Sequence, residues 1–441
     1  MLAALAGPSL AWEDTMGLEI FDRGELPRWA HVRQKLDDTA IGDVDQAVAA
    51  QFRRPGIGDR LRPGQRVAVT AGSRGIDRID EVIRAVVNEV RALGANPFIV
   101  PAMGSHGGAT AEGQRELIAH YGVTEERMNA PILSSMETVH LGEVEEGVPV
   151  WFDRNAYEAD AVVPVVRVKP HTDFRGPVES GLMKMIAIGL GKQKGADFFH
   201  HQGMGEFYHL IPAVATFSLS RVNIPFGVAV IENGYGLLAQ AEAVPANKIW
   251  EREQELLKIA RERMGRLPGE AIDVLIVDRI GKDISGDGAD PNVINRDVAG
   301  VLPPTEEPVM PRIQRLIVRG LTDDTDGNAS GIGMFDVALR RAIDKMDPVA
   351  TYMNMITAKA PQGARIPLTV ETDRQALNIA LACCLKIQPE TSRIARIQDT
   401  KHVETFWASE PLLPQLLASG RVEVTGDPRP IAFGAGGMLV D

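Results

Sequence analysis

Cysteine is nearly absent from this 441-residue sequence: there are only two, Cys383 and Cys384, and they are adjacent. Adjacent cysteines rarely form a strain-free disulfide bond, so we do not expect a disulfide-stabilised secreted fold. This composition indicates a reducing, cytoplasmic setting. We expect the pair to lie buried on a helix, and binding of a soft metal ion is the alternative.

Long apolar runs and excess positive charge are also missing. No apolar run reaches the roughly 18–20 residues that a transmembrane helix needs, so we expect no membrane association. Residues 1–12 are apolar but lack the basic residues that begin a signal peptide. The 47 Lys and Arg residues are outnumbered by 59 Asp and Glu residues, which gives a formal net charge of −12. A nucleic-acid partner would require a basic surface, so none is expected.

What the sequence does contain is an alternation of short apolar strands and amphipathic helices. Residues 66–70 and 96–101 are apolar strands, and residues 78–93 between them place their apolar side chains on one helical stripe. This order predicts a β-α-β unit with a right-handed crossover. Residues 248–263 predict an amphipathic helix that ends at a stretch with Gly and Pro, 264–269, where we place a domain boundary.

We therefore expect an α/β fold with two domains, residues 1–266 and 267–441, each with a mostly parallel sheet flanked by helices. The other predicted elements continue the alternation. The strands are 161–168, 224–232, 271–277, 312–318, 367–370 and 393–397, and the helices are 41–52, 111–120, 334–346 and 374–385.

Two loops that follow predicted strands carry side chains suited to ligand binding. Arg74 follows the first strand, and a guanidinium can hold a carboxylate with two parallel hydrogen bonds. The alternative is a solvated arginine in a turn. His106 follows the next strand and has glycines close on both sides, which lets it approach a ligand without steric cost. The alternative is a loop histidine that hydrogen-bonds a neighbouring backbone group.

The stretch 161–201 contains the other reactive side chains. Its buried strand ends near His171, at the place where strands of an α/β sheet deliver functional groups. Lys184 lies within an apolar run, and a turn with Gly and Lys separates it from His200 and His201. The alternative for Lys184 is a helix lysine whose stem covers apolar surface while its ammonium reaches water.

The order of these motifs along the chain resembles that of the lactate racemase family, whose enzymes use a nickel-pincer nucleotide. The segment PAMGSHGGATAEGQRELIAHYGV has His106 where the family has one catalytic histidine, and His171 corresponds to the second. Lys184 corresponds to the lysine that carries the cofactor covalently. His200, sixteen residues later, corresponds to the nickel ligand, and Arg74 to the arginine that binds the substrate carboxylate.

The resemblance suggests further assignments. Lys192 and Lys194 are candidates for holding the nucleotide phosphate, with a solvated charged turn as the alternative. His201 is the alternative to His200 as the nickel ligand. It could instead contact the ligand and hold it in position. Lys282, in the second domain, is the candidate for an additional substrate contact, and the resemblance implies an active site in the interdomain cleft.

The resemblance covers most of residues 60–265 and weakens beyond them. The family's Gly-Gly-Arg-Lys is Gly-Leu-Met-Lys here, and the spacing from the second histidine to the lysine is three residues longer. These departures indicate a distant branch with a different substrate.

The resemblance implies a cytoplasmic racemase or epimerase of a 2-hydroxy acid, with sugar acids among the candidates, that works by reversible hydride transfer to the nickel-pincer nucleotide. The first domain would be the cofactor-binding catalytic domain, and host enzymes would supply the cofactor. The residue types suit this chemistry. An imidazole is a good nickel ligand, and two histidines on different strand ends can serve as acid and base on opposite sides of one substrate.

Two other functions stay open. His106, His171 and His200 could together bind a metal such as zinc in a hydrolase or lyase. The chain could instead be a non-catalytic protein that binds a nucleotide or the cofactor. An NAD-dependent dehydrogenase is disfavoured, because no G-x-G-x-x-G follows the first strand. The sequence does not indicate the oligomeric state.

Overall fold

The computed structural model describes residues 18–73, 75–144, 147–298 and 310–440, which separate into two compact units. The first unit is Leu36–Arg266. The second unit combines residues 18–35, 267–298 and 310–440. Residues 18–35, expected in the N-terminal domain, therefore belong with the C-terminal part of the chain.

Strands form at the predicted apolar runs and also at segments that were not predicted, among them 238–245 and 405–409. The strands at 96–101, 271–277 and 312–318 are confirmed at the predicted bounds. The strands are β1 (Arg28–Gln34), β2 (Arg66–Ala71), β3 (Asn96–Pro101), β4 (Thr138–Val144), β5 (Val148–Asp153), β6 (Ala161–Val163), β7 (Val165–Arg167), β8 (Phe226–Glu232), β9 (Leu238–Pro245), β10 (Ala271–Val277), β11 (Arg312–Val318), β12 (Val337–Leu339), β13 (Leu368–Val370), β14 (Ile394–Ile397), β15 (Thr405–Ser409), β16 (Val422–Val424) and β17 (Arg429–Pro430).

Helices occupy amphipathic segments between strands, and one π-helical turn, Met185–Gly189, continues directly from α6. The helices are α1 (Val44–Phe52), α2 (Ile79–Ala92), α3 (Ala111–His120), α4 (Glu125–Met128), α5 (Arg154–Tyr157), α6 (Leu182–Lys184), α7 (Lys192–Gln202), α8 (Phe207–Arg221), α9 (Ile249–Arg263), α10 (Pro291–Ile294), α11 (Arg340–Asp344), α12 (Pro348–Thr357), α13 (Asp373–Ala382) and α14 (Leu413–Ala418).

The sheet of the first unit is interrupted at Pro164. β2 pairs in parallel with β3 and β6, and β7 pairs in parallel with β8, which is antiparallel to β9. Proline has no N–H to donate, so the predicted single strand 161–168 becomes two short strands. Thr70 bridges the break, because its hydroxyl accepts a hydrogen bond from the Val165 N–H at 2.9 Å.

Each face of this sheet covers its own apolar core. Val67 and Val69 of β2 belong to one core and Ala68 to the other, as the alternation of side chains along a strand requires. The buried stripe of α2 packs on the Val67 side. The helical segment that begins at Leu182 packs on the opposite side. The segment with Lys184 therefore rests on a buried apolar layer.

Within the described residues, the second unit forms one sheet in the order β13-β12-β11-β10-β14-β15-β1-β16, with β17 paired to β1. Strands β10 to β14 pair in parallel, while β15 and β1 are antiparallel. Trp29 of β1 stacks on Trp407 of β15 with 5.1 Å between ring centroids, which explains why the N-terminal strand belongs to this unit. The predicted α/β fold class, with mostly parallel sheets, is confirmed.

Two local predictions in the second unit are wrong. The predicted helix 334–346 contains β12 and only then the short helix α11, because Val337–Leu339 pair between β11 and β13. The cysteines follow the end of α13 rather than lying buried on it. Cys383 is exposed, and Cys384 is partly buried, which raises the pKa of its thiol to about 12. In the ranges that the structure covers, no helix is both long and apolar enough to span a bilayer.

Candidate active site

The loops that carry the predicted site residues follow neighbouring parallel strands of the first unit. β2 is followed by Gly72 and Ser73, β3 by the loop 102–110, and β7 by the loop 168–181. The carboxyl ends of parallel strands meet at one edge of a sheet, where open α/β folds bind their ligands. The topology therefore gathers these three loops at one edge.

His106 lies in a loop whose path depends on glycine. Gly104 and Gly107 have φ angles of +60° and +66°, which side chains with a Cβ atom rarely adopt. A Cβ on Gly107 would also lie 2.7 Å from the backbone of Gly113. This close packing fixes the loop against α3, whose first turn is capped by Thr110 through a 3.0 Å hydrogen bond from the Gly113 N–H.

The His106 imidazole contacts the loop after β2. Its Nδ1 atom makes a short hydrogen bond with the Ser73 hydroxyl, and the Tyr121 hydroxyl donates to the Ser73 carbonyl at 3.3 Å. The structure thus brings His106 to the residue that precedes Arg74. Arg74 itself lies outside the described residues, so its role as a carboxylate-binding group stays a prediction.

The backbone of His171 is held by Glu179, a buried carboxylate that the sequence analysis missed. Glu179 Oε2 accepts the His171 N–H at 2.6 Å, and Oε1 accepts from Arg261 at 2.6 Å. The Arg175 guanidinium donates to the His171 carbonyl. The one sequence signal for Glu179 is an acidic residue in an otherwise apolar and glycine-bearing stretch, which predicts burial only when a partner is known.

The His171 ring has a defined tautomer. Its Nδ1 atom accepts a 3.0 Å hydrogen bond from the backbone N–H of Asp173. A ring nitrogen that accepts from an amide carries no proton, so this hydrogen bond assigns the proton of the neutral ring to Nε2. The Asp173 carboxylate is 3.7 Å from Nδ1 and would stabilise a protonated ring. His171 therefore offers an N–H donor at Nε2.

Lys184, His171 and His200 converge on a pair of aromatic side chains, Phe174 and Phe207, whose ring centroids are 5.4 Å apart. The Lys184 ammonium lies over the Phe174 ring at 5.6 Å, and the His171 ring is 4.4 Å from Phe174. The His200 ring is 5.8 Å from Phe207. We call Phe174 and Phe207 the aromatic pair. It gives three of the predicted site residues one common neighbourhood.

The lysine and the histidine of this group lie on one helical segment with an irregular centre. Lys184 ends α6, the π-helical turn follows, and His200 lies near the end of α7. Single π-helical turns within α-helices occur frequently at functional sites. His201, the neighbour of His200, is exposed.

The prediction that Lys192 binds the nucleotide phosphate is corrected by the structure. Lys192 is completely buried, and its ammonium donates to the Pro101 carbonyl at 2.9 Å and to Gln114 Oε1 at 2.6 Å. Asp153, also buried, has its Oδ2 atom 3.4 Å away. Burial lowers the pKa of Lys192 and raises that of Asp153, and their attraction opposes both shifts. An interior ammonium with protein partners is not a phosphate site, nor is it the solvated turn of the alternative.

Two other predicted lysines occupy different surroundings. Lys194 is exposed on α7, with its ammonium 4.8 Å from the centroid of the Trp151 ring. Lys282 belongs to the second unit, where its backbone N–H donates to Thr325 Oγ1 at 3.0 Å and its ammonium donates to the Gly286 carbonyl. Their roles in cofactor and substrate binding stay predictions.

Among the residues that the structure describes, no three His, Cys, Asp or Glu side chains are grouped so that they could hold a metal ion. A site built from His106, His171 and His200 as joint ligands is therefore not preformed. A metal ion whose other ligands are not protein side chains needs only one imidazole from the protein. Such a site does not require three grouped side chains.

Comparisons with known proteins give a match to one family model and similarity to solved structures. Residues 24–206 match the family model described as the lactate racemase N-terminal domain, a range that contains His106, His171, Lys184 and His200. No curated protein matches the chain significantly. Among solved structures, the chain is similar to the lactate racemase apoprotein from Thermoanaerobacterium thermosaccharolyticum, with 15% identity, a TM-score of 0.50 and coverage of 85% of this chain and 99% of that chain. At this identity the likeness shows the fold alone.

Fold and site thus define an α/β protein with histidine-bearing loops at one sheet edge and a lysine- and histidine-bearing helical segment beside them. Residues 24–206 thus match the lactate racemase N-terminal domain family, and the fold of the chain is similar to that of a lactate racemase.

Proposed function

We propose that this protein is an isomerase that racemises or epimerises a small 2-hydroxy acid with a nickel-pincer nucleotide attached to Lys184. The observation that carries the proposal is the convergence of Lys184, His171 and His200 on the aromatic pair. This arrangement supports a site in which the tether, the metal ligand and an acid/base group serve one bound molecule.

The side chains present fit the donors that such a cofactor requires from a protein. An amine can be acylated, and the Lys184 stem leaves a buried apolar layer, so loss of its charge on attachment is compatible with its surroundings. The His200 imidazole is a suitable single ligand for nickel. When bound, the cofactor supplies a reversible acceptor for the hydride of the hydroxyl-bearing carbon.

The two other histidines would move the hydroxyl proton. If His106 donates its Nδ1–H to Ser73, its Nε2 is unprotonated and can accept the proton of the substrate hydroxyl. His171 presents Nε2–H as a hydrogen-bond donor to the oxygen, and it would return a proton only from the protonated ring, which Asp173 would stabilise. One histidine would therefore act as the base and the other, once protonated, as the acid. Arg74 would bind the substrate carboxylate, and Lys282 stays the candidate for an additional substrate contact.

The decisive measurement is the intact mass and nickel content of the protein produced together with the cofactor-making enzymes, beside the Lys184→Ala variant. We expect a nucleotide-sized adduct with about one nickel per chain, absent from the variant, because one tether and one ligand define one site. A screen of 2-hydroxy acids and sugar acids for loss of optical activity would then identify the substrate.

The alternatives predict different results from the same measurement. A metal-dependent hydrolase or lyase would contain metal without an adduct, and a non-catalytic carrier would bind the cofactor but show no turnover with any acid. Absence of both metal and adduct, while a lactate racemase control loads normally, would overturn the proposal.

A further inference from the structure

A buried lysine connects the helical segment of Lys184 and His200 to the loop of His106. The Lys192 ammonium is completely buried and donates to the carbonyl of Pro101, the last residue of β3, and to the side chain of Gln114. Its separation of 3.4 Å from Asp153 Oδ2 makes that contact an ion pair rather than a well-formed hydrogen bond. An ammonium has three donors, and three protein oxygens surround this one.

Gln114 transmits the position of this ammonium to the His106 loop. It is completely buried, and its Nε2 atom donates to the Gly104 carbonyl at 2.9 Å and to the His106 carbonyl at 3.2 Å. The Lys192 ammonium fixes the orientation of the Gln114 side-chain amide, because only the amide oxygen can accept a hydrogen bond from the ammonium. The NH2 group must then face the two loop carbonyls.

Lys192 also lies at a special point of its own chain segment. It has a φ angle of +54°, a strained conformation for a residue with a Cβ atom, at the start of α7 between Lys184 and His200. The same two segments touch through their backbones, since the Gly104 N–H donates to the Gly189 carbonyl at 3.1 Å. The strained lysine therefore sits at the junction of the two halves of the predicted site.

We propose that Lys192 is a positioning residue that acts through Gln114 to hold His106 in place relative to the segment carrying Lys184 and His200. Lys192 itself touches neither substrate nor cofactor. The catalytic consequence rests on the proposed function, whereas the positioning of the loop can be measured without it.

The first test replaces Gln114 with glutamate. Gln114→Glu keeps an acceptor for Lys192 but removes both donors to the Gly104 and His106 carbonyls. We expect the Gly104 and His106 amides to exchange hydrogen about tenfold faster, as for loss of roughly one to two hydrogen bonds. Gln193→Glu, the same change at an exposed position of α7, is the matched control and should leave this exchange unaltered.

The second test separates positioning from charge compensation. Lys192→Met leaves the Asp153 carboxylate buried without its partner, so the variant is expected to lose stability or fail to fold. Adding Asp153→Asn removes that carboxylate while keeping the oxygen that accepts the Ala156 N–H. We expect the double variant to regain the melting temperature but not the slow exchange of the loop amides.

In the cofactor-loaded protein, the double variant should keep the adduct mass and nickel content while kcat for the identified acid falls about tenfold or more. The proposal would be overturned if the loop amides of either Gln114→Glu or the double variant exchanged hydrogen as slowly as those of the wild type. If the exchange changes as expected but no acid is turned over even by the wild type, the positioning role stands and the proposed function fails.

Discussion

Glu253 Oε2 accepts a hydrogen bond at 2.9 Å from the backbone N–H of Met183, the residue before Lys184. The carboxyl group thereby caps the start of the helical segment that carries the predicted cofactor tether. Glu253 is completely buried, and this burial raises its pKa to about 8. Its second oxygen, Oε1, has no hydrogen-bond partner within the described ranges. The group is thus mostly protonated at neutral pH.

Stability should fall as this carboxyl group is forced to ionise. Its pKa is about 8 in the folded protein against an ordinary value of 4.5, so between these pH values the folded state binds up to one more proton than the unfolded state. The contribution to the free energy of unfolding then decreases as pH rises, by up to about 1.4 kcal/mol per pH unit.

Glu253→Gln removes this dependence. We expect the variant to gain stability relative to wild type as pH rises from 5 to 8, measured by urea denaturation at several pH values. Other titrating groups are shared by the two proteins and cancel in the difference. A difference that stays constant over this range would show that Glu253 is ionised in the folded protein.

Gly181 leaves room for this carboxyl group. A Cβ at position 181 would lie 2.4 Å from Glu253 Oε1. We expect Gly181→Ala to lower the free energy of unfolding by about 1–3 kcal/mol, the usual cost of overpacking, and to reduce cofactor loading at Lys184. Gly42→Ala is the control, because no atom lies within 4 Å of the added methyl group.

A double-mutant cycle identifies the cause. If the clash is responsible, Gly181→Ala should cost clearly less in a Glu253→Ala background, with a coupling of roughly 1 kcal/mol or more. If Gly181→Ala lowers the free energy of unfolding equally in both backgrounds, the new methyl group does not clash with Glu253.

Glu179→Gln should damage the His171 loop more than its small change in volume suggests. Both oxygens of Glu179 accept hydrogen bonds, one from His171 and one from Arg261, and an amide NH2 group cannot accept either of them. We expect a loss of about 3 kcal/mol, typical of breaking a buried charge pair. Glu255→Gln, which affects an exposed pair with Arg252, should cost less than about 1 kcal/mol in the same denaturation experiment.

Nickel binding should distinguish His200 from His201. His200 packs near Phe207, whereas His201 is exposed. We expect His200→Ala to retain the adduct on Lys184 but to lose most of its nickel, and His201→Ala to retain both. Intact mass and elemental analysis of the loaded proteins measure the two quantities separately. Loss of nickel only in the His201 variant would reverse the assignment.

Most elements of the fold follow from local patterns. The apolar stripe of α2 and the buried runs of β2 and β3 determine their structure, because periodicity and side-chain branching act within one segment. The prediction failed at residues 334–346, where three residues join a parallel sheet. That choice depends on neighbouring strands distant in sequence, so no local window contains it.

The site was predicted only in part for the same reason. His106, His171 and Lys184 stand out because they occur after strand ends or within an apolar run, and His200 stands out by its spacing of sixteen residues from Lys184. Glu179 and Glu253 do not, since each acts on a backbone N–H that is not adjacent in sequence, 8 and 70 positions away. Lys192 was noticed for its charge, but its burial depends on Pro101, Gln114 and Asp153, which come together only when the chain folds.

The sequence by itself determined the α/β alternation, the resemblance to the lactate racemase family and the side chains available for chemistry, because these depend on residue type, order and spacing. The tertiary structure alone decided that β1 joins the C-terminal sheet, that Lys192 is an interior cation, and that Lys184, His171 and His200 share the aromatic pair. These outcomes depend on which segments, distant in sequence, pack against one another and exclude water. Burial by such packing gives a charged side chain a structural or catalytic role that it would not have at the surface.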